Sequence, residues 1–179
     1  MNASLSQPMD ARTLRRAFGR FATGVTIVTT CPDGGKPEGM TANSFTSLSL
    51  DPPLLLWCPQ RNAVSFPAFE ASGHFAVHVL RSSQQELAMH FARPSSDKFA
   101  GHDWEPGLGG SPLLPGCLAR FECRTEQLLP GGDHAIMVGR ILQIVTDEGE
   151  PLLYNCGDWC VPVSMPERVT RSTGMASPA

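Results

Sequence analysis

From position 9 the chain alternates between apolar stripes and turn chemistry. Leu14, Ala17, Phe18 and Phe21 recur at helical spacing over residues 9–22, with Asp10 placed as an N-cap and arginines on the other side. The pattern predicts a short amphipathic helix ended by Gly24. The β-branched run VTIVTT (25–30) predicts a strand, and the Pro, Asp and Gly of CPDGGKPEG predict a hairpin turn. The next stretch, GMTANSFTSLSLDPP (39–53), alternates like a strand yet gathers hydroxyl and amide side chains before a double proline. A half-buried strand needs polar residues on one face only, so this stretch is either a solvated edge or a surface that hydrogen-bonds something specific.

LLLWC (54–58) predicts a buried strand, followed by a loop running into a short helix with Phe66 and Phe69 directed at the core. HFAVHVL (74–80) predicts another strand. SSQQELAMHFAR (82–93) begins with Ser and ends in a basic residue, as helices do. Residues 94–116 are rich in Gly, Pro and Asp and predict a loop of the length that functional or mobile loops have. The runs 117–129 and 135–147, joined by PGGDH, predict a long hairpin, with a short strand at 151–155. Residues 1–8 predict a flexible N-terminus and 164–179 a disordered tail, leaving 9–163 as one domain. Six or seven strands with few helices, and none regularly inserted between them, predict a mainly β protein. A closed antiparallel barrel fits better than a parallel sheet.

Composition narrows the partners. Charged residues make up 17% of the 179, below the usual share of about 25%, which burial in a homo-oligomer interface would explain. The formal net charge is -3 and the sequence shows no Lys/Arg stripe, which argues against a nucleic-acid partner. Six cysteines (31, 58, 117, 123, 156, 160) form no Cys-x-x-Cys pair, so reduced thiols are expected. Arg15-Arg16 precedes an apolar run as in a twin-arginine signal, but Arg20 interrupts that run. No apolar run approaches the roughly twenty residues of a membrane helix, so a cytoplasmic protein is expected.

Gly-x-Gly-x-x-Gly, the Walker loop and the Gly-x-Ser-x-Gly elbow are all missing from the sequence. His74-x-x-x-His78 and Cys156-x-x-x-Cys160 would make a zinc site only by converging, and no metal is expected.

GRFATGVTIVTT, GMTANSFTSLSLDPPLLL and GDHAIMVGRI, in this order from about Ala11 to Tyr154, resemble the flavin reductase family of the flavin-binding split-barrel fold. Its members are the small NAD(P)H-using partners of two-component flavin monooxygenases. The resemblance implies an antiparallel split β-barrel that binds FMN or FAD weakly, takes NADH or NADPH as co-substrate, and forms homodimers. It implies that Met40, Thr41, Ala42, Asn43, Ser44 and Ser47 line the flavin, with Cys58 beside them. An isoalloxazine edge offers alternating N and O acceptors plus one N–H, which amide and hydroxyl groups can match. Arg61, Asn62 and Ser65 precede a helix where N–H groups and a cation suit the flavin phosphate, and the resemblance adds Lys98 and Phe99. His134 would position the nicotinamide, with Asp133 orienting it or fixing the turn. At the C-terminal end YNCGDWCVPV departs from the family pattern, and Trp159 would replace the usual aromatic contact.

Three rival readings share the barrel. A flavin carrier or sensor would need no His134. A pyridoxamine-phosphate oxidase-like enzyme would need more basic residues for a second phosphate. A heme protein would use His74, His78 or His90 as its axial ligand.

Overall fold

Asp10 caps the first helix in the computed structural model, which describes residues 10–164. The expectations for the two chain ends lie outside those residues, Ser164 excepted. The Asp10 carboxylate accepts from the N–H groups of Arg12 and Thr13, and helix α1 runs Ala11–Phe18. It stops at Gly19, earlier than Gly24, and its apolar stripe is not turned into the core: Phe18 and Phe21 are 72% and 78% exposed.

After β1 (Thr23–Gly24), strand β2 (Thr26–Thr30) is buried throughout despite its threonines. Each hydroxyl donates to a carbonyl, Thr26 to Ala42, Thr29 to Pro112 and Thr30 to His74, which removes the penalty of burying it. Ile27 and Val28 belong to different core clusters, as the two-residue period of a strand requires.

The polar stretch at 39–53 is not one strand. It contributes β3 (Glu38–Ala42), a bend at Asn43–Ser44–Phe45, and β4 (Thr46–Leu50), before a turn containing a cis Asp51-Pro52 bond leads into β5 (Pro53–Trp57). Helix α2 (Phe66–Ser72) buries Phe66 and Phe69 as predicted, and β6 (His74–Val79), α3 (Gln85–Ala92), β9 (Ala119–Gly131) and β10 (His134–Thr146) complete the frame. β3 to β6, β9, β10 and β2 build a seven-stranded antiparallel sheet in the order β3-β2-β6-β9-β10-β5-β4.

Its two edges, β3 and β4, are consecutive in the chain. Three bend residues span at most about 10 Å, so the sheet rolls until its edges nearly meet. No ladder joins them, and the barrel is split along this seam rather than closed.

The loop at 94–116 is packed. It holds a two-stranded ladder of β7 (Glu105–Pro106) and β8 (Pro112–Leu113), buries Phe99, Ser111, Leu113 and Leu114, and gives the Leu108 N–H to the buried Glu122 carboxylate at 2.8 Å. β11 (Leu153–Asn155) and β12 (Asp158–Cys160), the latter not foreseen, pair beside β1 in a small second sheet.

Candidate functional site

The bend at Asn43–Phe45 lies at the seam, and hydrogen bonds hold its walls. Ser44 Oγ accepts from the Cys58 N–H at 2.9 Å and also reaches the Cys58 carbonyl at 3.3 Å, tying the bend to the end of β5. Thr41 donates its hydroxyl to the Ala88 carbonyl of α3 at 2.6 Å. Gly39 permits that approach, because a Cβ there would stand 2.8 Å from the Phe91 ring. Thr41 and Ser44 are therefore committed to shaping the wall.

The wall encloses a cleft of about 450 Å³. Met40, Thr41, Ala42, Asn43, Ser44, Cys58, Asn62, Ser65, Lys98 and His134, predicted from four separate stretches of sequence, all line it. Asn43, Asn62 and Ser65 keep their side-chain polar groups free of partners among the described residues. Ser65 is only 4% exposed and its hydroxyl does not cap α2, so a buried-wall donor and acceptor is available to a ligand. Glu38, Gln60 and Arg93 also line the cleft, although no sequence pattern singled them out.

Lys98 is no solvated loop cation. Its Nζ donates to the Gly39 carbonyl at 2.8 Å and to the Phe91 carbonyl at 3.0 Å, near the C-terminal end of α3 where a cation is favoured. Burial lowers its pKa and the Glu38 charge opposes that shift. Of its three N–H groups one remains for a ligand.

His134 Nδ1 lies 2.8 Å from Asp133 Oδ1. The bond to His134 is the main reason the Asp133 pKa is lowered, and an ionised carboxylate only accepts, so Nδ1 carries the proton and Nε2 is the free ring nitrogen. Arg61 N–H donates to the Asp133 carbonyl at 3.0 Å, and Ala135 N–H to the Pro59 carbonyl at 2.9 Å. These bonds stitch the β9–β10 hairpin tip to the turn after β5.

Four predicted residues are placed elsewhere. Ser47 is exposed on β4, beyond the bend, and does not line the cleft. Arg61 contributes its backbone to the hairpin contact rather than its guanidinium to the lining. Phe99 is a core residue packed edge-on against Phe91 and Trp104, because the loop around it folds inward. Trp159 packs edge-on against Tyr154 at 5.2 Å, beside the core.

Of the three candidate heme-ligand histidines, His78 and His90 have ring nitrogens engaged by the backbone. His78 is fully buried, with Nδ1 3.1 Å from the Ile27 carbonyl and Nε2 accepting from the Leu114 N–H at 3.1 Å. His90 Nε2 bonds the Lys98 carbonyl at 2.8 Å, and His74 packs against Gly109. Among the described residues no group of three His, Cys, Asp or Glu side chains is placed to hold a metal ion, all six cysteines are unpaired, and no helix is long and apolar enough to cross a membrane. The arginines predicted on one side of the first helix, Arg12, Arg15, Arg16 and Arg20, line a second cavity beside α1.

The rolled sheet, split at a seam that opens on a cleft lined by polar side chains, defines a split-barrel protein. Residues 18–161 match the flavin reductase like domain, and the chain belongs to that family. It is 47% identical over 149 residues to the FMN reductase (NADH) SmoA of Agrobacterium fabrum, covering 83% of this chain and 84% of that protein. It is 40% identical to the flavin-dependent monooxygenase reductase subunit HsaB of Mycobacterium tuberculosis, covering 87% and 84%. The NADH:FAD oxidoreductase of Streptomyces globisporus, solved with NAD and FAD fragments, superposes with a TM-score of 0.82 at 42% identity, over 93% of this chain and 99% of that one.

Proposed function

We propose that this chain is an NAD(P)H:flavin oxidoreductase that supplies reduced flavin to a partner flavin-dependent monooxygenase. One observation carries the reading: a single cleft gathers the end of β3 with the following bend at Thr41–Ser44, the unpartnered Ser65 hydroxyl and the Asp133-supported His134. The donor set suits FMN or the FMN half of FAD. Backbone groups of Met40–Ala42 and the Asn43 amide serve the ring, while Asn62, Ser65, Arg93 and the spare N–H of Lys98 serve the ribityl phosphate.

Flavin, when bound, supplies the chemistry by accepting hydride from the nicotinamide. The protein supplies position. His134, oriented through Nδ1 by Asp133, presents Nε2 to the co-substrate at the cleft, and the walls held by Ser44 and Thr41 keep water from the reacting faces. NADH is the favoured donor, since the similar proteins named above use it.

The chain is read as a cytoplasmic homodimer. Low charge supports the dimer, as do Leu50, exposed at the end of β4, and Leu142, Ile144 and Val145, exposed where β10 runs on past its last β5 partner at Arg140. The six unpaired thiols suit a reducing compartment.

Aerobic oxidation of NADH and NADPH, with FMN, FAD or riboflavin added in turn, tests the reading. Rapid flavin-dependent loss of nicotinamide absorbance is expected; flavin binding without turnover would leave a carrier or sensor.

A further inference from the structure

The cavity beside α1 has a volume of about 750 Å³, and no step above uses it. Arg12, Arg15 and Arg16 stand at i, i+3 and i+4, hence on one helix face, and Arg20 follows just past the helix end. Among the described residues none of the four is in a salt bridge. Arginines in the last helical turn complement the helix dipole, but Arg12 lies at the unfavourable N-terminal end, so the dipole does not account for the cluster. Like charges gathered on one face repel, and a bound anion offsets that cost.

Two further observations identify the anion. Phe18 and Phe21 line the same cavity with largely exposed rings, a flat apolar surface for a planar base. Asn43 lines both this cavity and the cleft, so the two adjoin. Arg15 also lies near the hairpin tip, where its charge adds a small contribution, after the bond to His134 and the His134 charge, to lowering the Asp133 pKa.

The geometry points to the α1 groove as the seat of the adenosine diphosphate half of a dinucleotide whose other half occupies the cleft, with the arginines on the phosphates and the phenylalanines against adenine. NAD(P)H and FAD both carry this group and FMN does not. The inference rests on the flavin reductase reading.

The test uses the full chain, the double variant Arg12→Gln/Arg16→Gln, and ADP as probe. Glutamine keeps helix propensity, and unchanged thermal unfolding certifies the variant's fold. ADP is expected to bind the unmodified protein in calorimetry and to inhibit competitively against NADH with FMN as acceptor. The variant should raise the NADH KM about tenfold or more and leave FMN affinity unchanged, since each lost charge-assisted phosphate contact is worth about a factor of ten. If the loss falls instead on FAD affinity, with the NADH KM in FMN unchanged, the groove holds the FAD tail.

Failure of ADP to bind, or a variant that alters neither dinucleotide, overturns the inference. So does a variant that loses only its dimeric state, which would assign the groove to a second copy of the chain. ADP binding without NADH oxidation would instead sink the reductase reading and leave the groove standing.

Discussion

His78 and His134 belong to the same seven-stranded sheet under opposite conditions. His78 sits on β6 between β2 and β9, wholly buried, with both ring nitrogens given to backbone groups. Burial lowers its pKa to about 4 against the opposing bond to Ile27, with the Arg120 charge lowering it further. His134 stands at the tip of the β9–β10 hairpin with 41% of its side chain exposed and one nitrogen engaged by Asp133. In the sequence His74 and His78 could join a zinc site only by converging with the distant cysteines, while the family resemblance alone singled out His134. What separates the two histidines is that His78 has both nitrogens engaged in the core, whereas His134 lines the cleft with one nitrogen unengaged among the described residues.

The comparison is broken most forcefully at the buried site. His78→Ala leaves the Ile27 carbonyl and the Leu114 N–H unpaired beside a new cavity, and should cost about 3–5 kcal/mol in urea unfolding. His134→Ala should change stability by less than about 0.5 kcal/mol. Equal losses would contradict the contrast.

Acid should expose the same difference. A folded pKa of about 4 against the ordinary 6.5 means that, between those values, the unfolded chain binds a proton that the folded chain refuses. Stability attributable to His78 is therefore full above pH 6.5 and is lost as pH falls towards 4, by roughly 3 kcal/mol at 1.36 kcal/mol per unit. Hydrogen bonds hold the carboxylates of Asp10, Glu126 and Asp133 below their ordinary values, so their contribution is lost only at the acid end of that window and below it, whereas burial raises Glu38, which opposes the His78 loss. In a Glu38→Gln variant, which removes the opposing group, a flat unfolding midpoint from pH 7 to 4.5 would show that His78 is not held neutral.

At the seam, Ser44→Ala removes the partner of the Cys58 N–H and should cost about 1 kcal/mol while weakening flavin binding. Unchanged flavin affinity would mean the bend holds its shape without that tie. The finest test is kinetic. His134→Ala should raise the NADH KM about fivefold with kcat within about twofold, the pattern of lost uniform binding. Asp133→Asn should do less, because an amide oxygen still accepts from Nδ1–H. A fall in kcat equal to that in kcat/KM would move His134 from positioning to the transition state.

Much of this was legible in the chain. Asp10 as cap, the buried Phe66 and Phe69, the long hairpin and the β-rich class follow from local rules of capping, periodicity and turn chemistry. The site was legible only where polar residues stood out of pattern, as at Thr41–Ser44. Phe99 and Ser47 lie outside the cleft because their surroundings depend on an inward-folded loop and on a bend splitting one polar run into two edge strands. The arginines of α1 were legible as one side of a predicted helix, but that they line a cavity adjoining the cleft depends on what packs beside that helix.

Local pattern was enough for the main helices and long strands, since hydrophobic period, caps and Gly/Pro turns act within a few residues, but not for β7, β8, β12 or the split of 39–53 into two strands. Only the tertiary structure decided which polar groups are free: it spent Thr41, Ser44, Lys98 and His78 on partners distant in sequence and left Asn43, Ser65 and Nε2 of His134 facing one cleft. A hydrogen bond is satisfied by whatever lies within about 3 Å in space, and the rolling of a sheet about a three-residue seam brings together groups whose separation along the chain carries no such information.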